Sequence, residues 1–94
     1  MDSDSVHARI EHETAELRAL HPHVTHCHSA LVQWNDGGVR RYSLELDIRW
    51  PQHQTLISGE ASDSAEAAIS AGFHSARQRL REASRRSRTN PATR

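Results

Sequence analysis

Residues 62–88 read SDSAEAAISAGFHSARQRLREASRRSR, a stretch with the spacing of one long helix that has two different faces. Small and apolar residues recur every three or four positions: Ala65, Ile69, Gly72, Phe73, Ala76, Leu80 and Ala83. This spacing is typical of a helix that covers a hydrophobic core. Asp63 as N-cap, with Glu66 three residues later, resembles a capping box and predicts where the helix starts.

The opposite face of this predicted helix is rich in arginine. Its members are four, four and three residues apart, which places their guanidinium groups on one side of the helix: Arg77, Arg81, Arg85 and Arg88. Glu82 is the only acid between residues 77 and 88, so these arginines cannot all be paired within the helix. Two interpretations stay open, a solvated face or a surface for an anionic partner, of which nucleic-acid backbone is favoured.

Upstream of this helix the sequence predicts three β-strands. Residues 23–34 are extended in pattern and are followed by Asn-Asp-Gly-Gly at 35–38, a strong signal for a tight hairpin turn. Residues 42–50, YSLELDIRW, alternate apolar and polar side chains, as a half-buried antiparallel strand does. Residues 55–60 predict a short third strand. Arg40 and Arg41, just after the turn, either extend the basic patch or pair with Glu45 or Asp47.

A first helix is predicted to begin near Asp4 or Ser5, either of which can cap it, and to end before Pro22. The order is therefore α-β-β-β-α. We predict an α+β two-layer sandwich in which both helices cover one face of a three-stranded antiparallel meander. One domain would occupy residues 1–88, and residues 89–94 would form a disordered basic tail.

The remaining residues with chemical potential do not form a recognisable catalytic or metal motif. His21, His23, His26 and His28 surround Cys27, but no second ligand arm with zinc-site spacing exists. A mid-strand cysteine that faces a helix layer is more often a small core residue than a nucleophile. We therefore expect no enzyme activity, no catalytic residues, no metal and no cofactor.

Composition limits the class of protein. The net charge is zero, but residues 1–47 carry −4 and residues 48–94 carry +4, so the basic charge is concentrated towards the end of the chain. A single cysteine fits a reducing cytoplasm, which is the predicted location. No apolar run approaches the roughly 20 residues of a membrane span, so no membrane partner is expected.

Three segments together carry a family resemblance. They are HPHVTHC at residues 21–27, RYSLELDIRWP at 41–51 and AAISAGFHSARQRL at 67–80. In order and spacing they resemble the ribosome hibernation-promoting factor / ribosome-associated inhibitor A family, in particular its short bacterial members, over residues 6–88. The resemblance implies a β-α-β-β-β-α domain that sits on the small ribosomal subunit. It also implies that the domain blocks translation during stress by occupying the channel for messenger and transfer RNA.

The resemblance implies a set of binding residues as well. Arg77, Arg81 and Arg85 match the basic face of the family's last helix, and Arg88 matches it more loosely. The expected function is therefore a hibernation factor that binds 16S ribosomal RNA electrostatically, assisted by Arg40 and Arg41. A double-stranded RNA-binding domain shares the α-β-β-β-α order and is a minor alternative. It uses lysines at the start of its second helix, where this chain has acids.

The family's opening strand has no counterpart here, since only residues 1–5 precede the first helix. The strand at 23–34 is thus expected to have an open edge. An upstream segment, a second copy or another partner would cover this edge, and a homodimer through it is one expectation. The main alternative function is accordingly a protein-interaction module that uses this edge and has no role with RNA.

Overall fold

The computed structural model describes residues 3–89, except for the side chains of Ser3 and of residues 86–89. The described chain forms helix α1 (Ser3–Leu20), strands β1 (His26–Asp36), β2 (Val39–Trp50) and β3 (His53–Ser58), and helix α2 (Ala65–Thr89). The predicted α+β fold and its α-β-β-β-α order are confirmed. Of the tail predicted at residues 89–94, Thr89 still belongs to α2, and residues 90–94 lie outside the described part.

The sheet is an antiparallel meander with β2 in the centre. β1 and β2 pair from His26↔Arg49 to Asp36↔Val39, so the turn between them consists of two residues. Both are glycines with positive φ, 59° at Gly37 and 86° at Gly38, which is the backbone that a two-residue hairpin turn of type I′ requires.

The core lies between β2 and the two helices. Leu44, Leu46 and Ile48 are buried on one face of β2, where they meet Phe73 and Leu80 of α2. The alternate residues of β2 face away from the helices, as the period of two predicts. The strict alternation of residues 42–50 therefore indicated the correct buried face.

Helix α2 comes unusually close to the sheet at one point. A Cβ atom at Gly72 would lie 2.7 Å from Cδ2 and 2.9 Å from Cβ of Leu44. Carbon atoms do not approach this closely without a shift of the structure, so the missing side chain at Gly72 sets the separation of helix and sheet. Glycine has a low helix propensity and destabilises the middle of a helix, and this close contact explains why it is present at position 72.

Helix α1 adds a smaller part of the core. Leu17 is fully buried, and Ile10 and Val6 pack against the same cluster from two and three turns earlier. The helix ends at Leu20, where the N–H of His21 donates to the carbonyl of Leu17 at 3.0 Å. Pro22 explains why the helix ends here, because a proline disfavours the helical backbone conformation at the preceding residue, His21.

The two edge strands begin at different residues from those predicted. β1 starts at His26 and not at residue 23, because the N–H of Thr25 donates to the carbonyl of Arg49 while His26 is paired with the same residue. Thr25 and His26 thus both stand opposite Arg49, which is a β-bulge, and the regular pairing of β1 with β2 begins only after it. β3 begins at His53, two residues earlier than predicted, since the turn before it uses only Pro51 and Gln52.

The start of α2 corrects the predicted cap. Ser64, not Asp63, is the N-cap, because its Oγ accepts the N–H of Ala67 at 3.0 Å and its carbonyl accepts the N–H of Ala68. The carboxylate of Asp63 instead accepts a hydrogen bond from Arg41 at 2.6 Å. The helix therefore begins at Ala65, three residues later than the stretch quoted at the outset.

Candidate anion-binding surface on helix α2

Arg77, the first arginine of the predicted stripe, lies in the interface between the two helices. Its guanidinium donates to the carboxylate of Glu13 in α1, and Nε of Arg9 lies 3.4 Å from the same carboxylate. The Glu13 side chain is only 15 % exposed, so two guanidinium groups enclose an acid that has little contact with water. Arg77 therefore holds α1 against α2, and most of its charge is neutralised within the molecule.

Arg81 and Arg85 are exposed on the next two turns of α2. Arg81 forms no ion pair with an acidic side chain among the described residues. Both arginines line a shallow groove of about 420 Å³ together with Gln78 and Glu82. Among the described residues that line this groove, Glu82 is the only acid, so these residues together carry net positive charge.

A group of aromatic rings includes His21, which lies within the electrostatic influence of Arg81. The rings of His21 and His23 meet edge to face with centroids 5.8 Å apart, and His23 meets Trp50 in the same way at 6.3 Å. His53 then stacks on Trp50 at 5.5 Å. The pKa of His21 is lowered, first by burial and then by the charges of His23 and Arg81. The loop after α1 thus brings the imidazole of His21 within the electrostatic influence of Arg81.

The two arginines after the hairpin turn have separate surroundings. Arg41 is bonded to Asp63, and not to Glu45 or Asp47, so its charge is largely compensated. Within the described part of the chain, Arg40 donates only to neutral groups, Oε1 of Gln33 at 3.1 Å and Oδ1 of Asn35 at 3.3 Å. Its positive charge remains available to an external anion.

The predicted arginines do not form one continuous patch. Asp63, which holds Arg41, stands just before α2, whereas Arg81 lies 16 residues into that helix, or about 24 Å along its axis at 1.5 Å per residue. Arg88 lies in α2 two turns after Arg81, but its side chain is outside the described residues. The candidate surface is therefore the second half of α2, with Arg40 as a distant second point of positive charge.

The face of the sheet that the helices leave open carries a second set of polar groups. The rings of His26 and His28 stack with centroids 6.3 Å apart, and Asp47 is paired with His28 across the strands. Hydrogen bonds from Arg49 and Gln54 lower the pKa of Asp47. In residues 3–89 no three or more His, Cys, Asp or Glu side chains are grouped so that they could hold a metal ion.

Cys27 faces the helix layer and packs at the border of the core. Burial raises the pKa of its thiol; the charge of Asp47 adds to this rise and that of Arg18 opposes it. A raised pKa reduces the thiolate fraction at neutral pH, and the thiolate is the reactive form. This environment agrees with the interpretation of Cys27 as a small core residue.

Sequence reasoning missed two features of this surface. It gave Arg77 the same role as Arg81, although Glu13 lies 64 residues away and no local pattern connects the two. It also placed His23 at the start of the first strand, whereas His21 and His23 both belong to the loop after α1. The four-residue spacing of the arginines was the one usable signal, and it placed Arg81 and Arg85 on the exposed face of α2.

No protein-family model matches this chain, and no match was found among curated proteins or solved structures. Within residues 3–89, neither helix is both long enough and apolar enough to cross a membrane. Fold, charge and side-chain geometry are therefore the observations from which a function has to be inferred.

Proposed function

We propose that this protein is a ribosome-associated translation inhibitor that binds the RNA of the small subunit through the second half of α2. It would act by occupying the region of the messenger and transfer RNA channel, without chemistry. The observation that carries the proposal is Arg81. It is exposed, it lines a groove with Arg85, and it has no acidic partner among the described residues.

The chemistry of arginine supports an anionic backbone as the ligand. A guanidinium presents a planar set of N–H donors that matches a phosphate, and it stays charged at every physiological pH. Arg81 and Arg85, four residues apart, are about 6 Å apart along the helix axis, so one extended strand of RNA can meet both. Neutralising these phosphates would release counterions, which supplies a large share of the affinity of such complexes.

The other basic residues take different parts in this proposal. Arg77 is a positioning residue, because its pairing with Glu13 fixes the angle at which α2 is presented. Arg40 supplies a second contact on the hairpin, far from the groove. Arg41, already paired with Asp63, contributes less than we expected from the sequence.

The resemblance at residues 21–27, 41–51 and 67–80 supports the choice of the ribosome over other RNAs. A double-stranded RNA-binding domain is less well supported. It needs basic residues at the start of the second helix, where this chain has Asp63 and Glu66, and the described first turn of α2 is acidic.

Co-sedimentation with small ribosomal subunits tests the proposal. Arg81→Glu should abolish binding and leave the circular dichroism spectrum unchanged, since this side chain makes no described ion pair. Arg49→Glu is the matched control, because it makes the same change of charge on the opposite face of the sheet. If both variants lost binding equally, the cause would be the change in net charge and not the loss of a contact at Arg81, which would contradict the proposal. Unaltered binding of Arg81→Glu would also refute it.

A further inference from the structure

The outer edge of β1 is a long row of backbone groups without a partner strand in the described part of the chain. β1 has 11 residues and pairs only with β2. Toward the side of β3, β2 bonds through its even-numbered residues: Tyr42 exchanges hydrogen bonds with Ser62, and the carbonyl of Leu44 accepts the N–H of Gly59. Its odd-numbered residues therefore bond to β1.

The register then shows which residues of β1 point at the free edge. Odd-numbered residues of β2 stand opposite even-numbered residues of β1, as in Glu45↔Ala30 and Ser43↔Val32. The intervening residues direct their N–H and C=O groups outwards: Cys27, Ser29, Leu31, Gln33 and Asn35.

This edge lacks the usual protection against strand addition. Residues 26–35 contain no Lys, Arg, Asp, Glu or Pro, the residues with which natural sheets block their edges. Along the same strand, Trp34 is 39 % exposed and Val32 is 36 % exposed on the open face of the sheet. Both the backbone and the side chains of β1 are therefore suited to a further strand.

We propose that the occupant is β1 of a second copy of this chain, paired antiparallel about a two-fold axis at Leu31. Leu31 is the midpoint of His26–Asp36, so this register overlaps the two strands over their whole length. Five residue pairs would exchange hydrogen bonds, about ten bonds in all. The two meanders would then form one continuous sheet of six strands.

The side chains that this register brings together are complementary. On the open face, Trp34 would stand opposite the partner's His28 and Val32 opposite the partner's Ala30. At each end, Asp36 would meet the partner's His26, a pair of opposite charge when the imidazole is protonated. Aromatic, apolar and opposite-charge pairs are the cross-strand combinations that stabilise sheets.

Neighbouring registers are poorer. A slip of two residues in either direction keeps the edge groups facing each other but leaves four hydrogen-bonded pairs in place of five. It also separates Asp36 from the partner's His26. A slip of one residue would turn the outward N–H groups away from their acceptors and is excluded.

Light scattering after size exclusion tests the interface. The wild-type chain should have a mass near twice the 10.6 kDa of one copy. Gln33→Pro should be monomeric, because it removes an outward N–H that β2 does not use. The matched control is Leu56→Pro on β3, an exposed residue whose N–H points to the other edge; this variant should stay dimeric.

Disulfide cross-linking tests the register in a Cys27→Ser background. Leu31→Cys faces its own counterpart across the axis and should cross-link on mild oxidation. Ser29→Cys is separated from its counterpart by four residues, about 13 Å along the strand, and should not. A wild-type chain that is monomeric at high concentration, or equal cross-linking at both positions, would overturn the proposal. The inference depends on β1 alone, so its failure would leave the proposed function of α2 untouched.

Discussion

Replacing Arg77 with alanine should destabilise the fold, although its neighbour Arg81 can be replaced at little cost. The guanidinium of Arg77 is bonded to Glu13, whose side chain is only 15 % exposed. Without Arg77 this carboxylate would keep Arg9, 3.4 Å away, as its remaining cationic partner. The loss of stability is therefore the cost of leaving the mostly buried carboxylate of Glu13 with one guanidinium partner instead of two.

The expected size of this penalty follows from the burial of the pair. Exposed ion pairs contribute about 0.2–1 kcal/mol, and breaking a fully buried pair costs about 3–5 kcal/mol. The Arg77 side chain is 32 % exposed and Arg9 stays in place, so we expect a loss of about 2 kcal/mol in the free energy of unfolding. For a domain of this size, that corresponds to a fall of about 10 °C in Tm.

Thermal and urea unfolding of a double-mutant cycle measure this loss. Arg77→Ala, Glu13→Ala and the double variant should show a coupling energy of at least about 1 kcal/mol, since the two groups share one contact. Arg81→Ala is the control and should change stability by less than about 0.5 kcal/mol. If Arg77→Ala and Arg81→Ala behaved alike, or if the coupling were zero, the positioning role of Arg77 would be wrong.

Three further predictions concern single positions. Gly72→Ala should destabilise the protein by about 1–2 kcal/mol in urea unfolding, because its Cβ would lie 2.7 Å from the Leu44 side chain and the helix-propensity gain of about 1 kcal/mol offsets only part of this. Gln52→Gly should stabilise it by about 0.5 kcal/mol, since Gln52 has φ of 66° and glycine carries no penalty there; a loss of stability would contradict this. The pKa of His21 is lowered in the folded state, so the unfolded state binds the proton first and stability should fall as pH drops below the ordinary value of 6.5. His21→Gln should flatten that part of a stability–pH curve measured by chemical unfolding, and an unchanged curve would exclude this contribution.

The acidic first helix is compatible with an anionic partner for α2. Glu13 is used internally by Arg77 and Arg9. Glu11 and Glu16 lie 3.1 Å and 3.5 Å from His7 and His12, one turn earlier on the same helix. Two guanidinium groups therefore compensate the charge of Glu13, whereas His7 and His12 offset Glu11 and Glu16 only when their imidazoles are protonated.

Periodicity predicted the fold well because burial depends on one repeating rule. Residues 42–50 alternate strictly, and Leu44, Leu46 and Ile48 are buried as expected. The three- and four-residue spacing of Ile69 and Phe73 likewise identified the buried side of α2. The hairpin was predictable from local chemistry, because the stretch Asn-Asp-Gly-Gly at 35–38 contains both turn residues, Gly37 and Gly38.

Contacts between distant residues explain what the sequence could not show. Asp63 and Ser64 are both good N-caps, and the choice falls on Ser64 while Asp63 is bonded to Arg41, a residue 22 positions away. In the same way, Arg77 follows the spacing of Arg81 but is bonded to Glu13 on another helix. Local patterns place a side chain on a face, whereas only the packed structure shows which opposite charge it meets.

The most direct test of the central claim is a salt titration of binding to purified small ribosomal subunits. For the wild-type chain, a plot of log affinity against log salt should fall with a slope on the order of 3, as for three to four phosphate contacts. Arg81→Gln should lower the slope by about 1, and Arg49→Gln should leave it unchanged. Wild-type binding that is absent, or that does not respond to salt, would contradict the account.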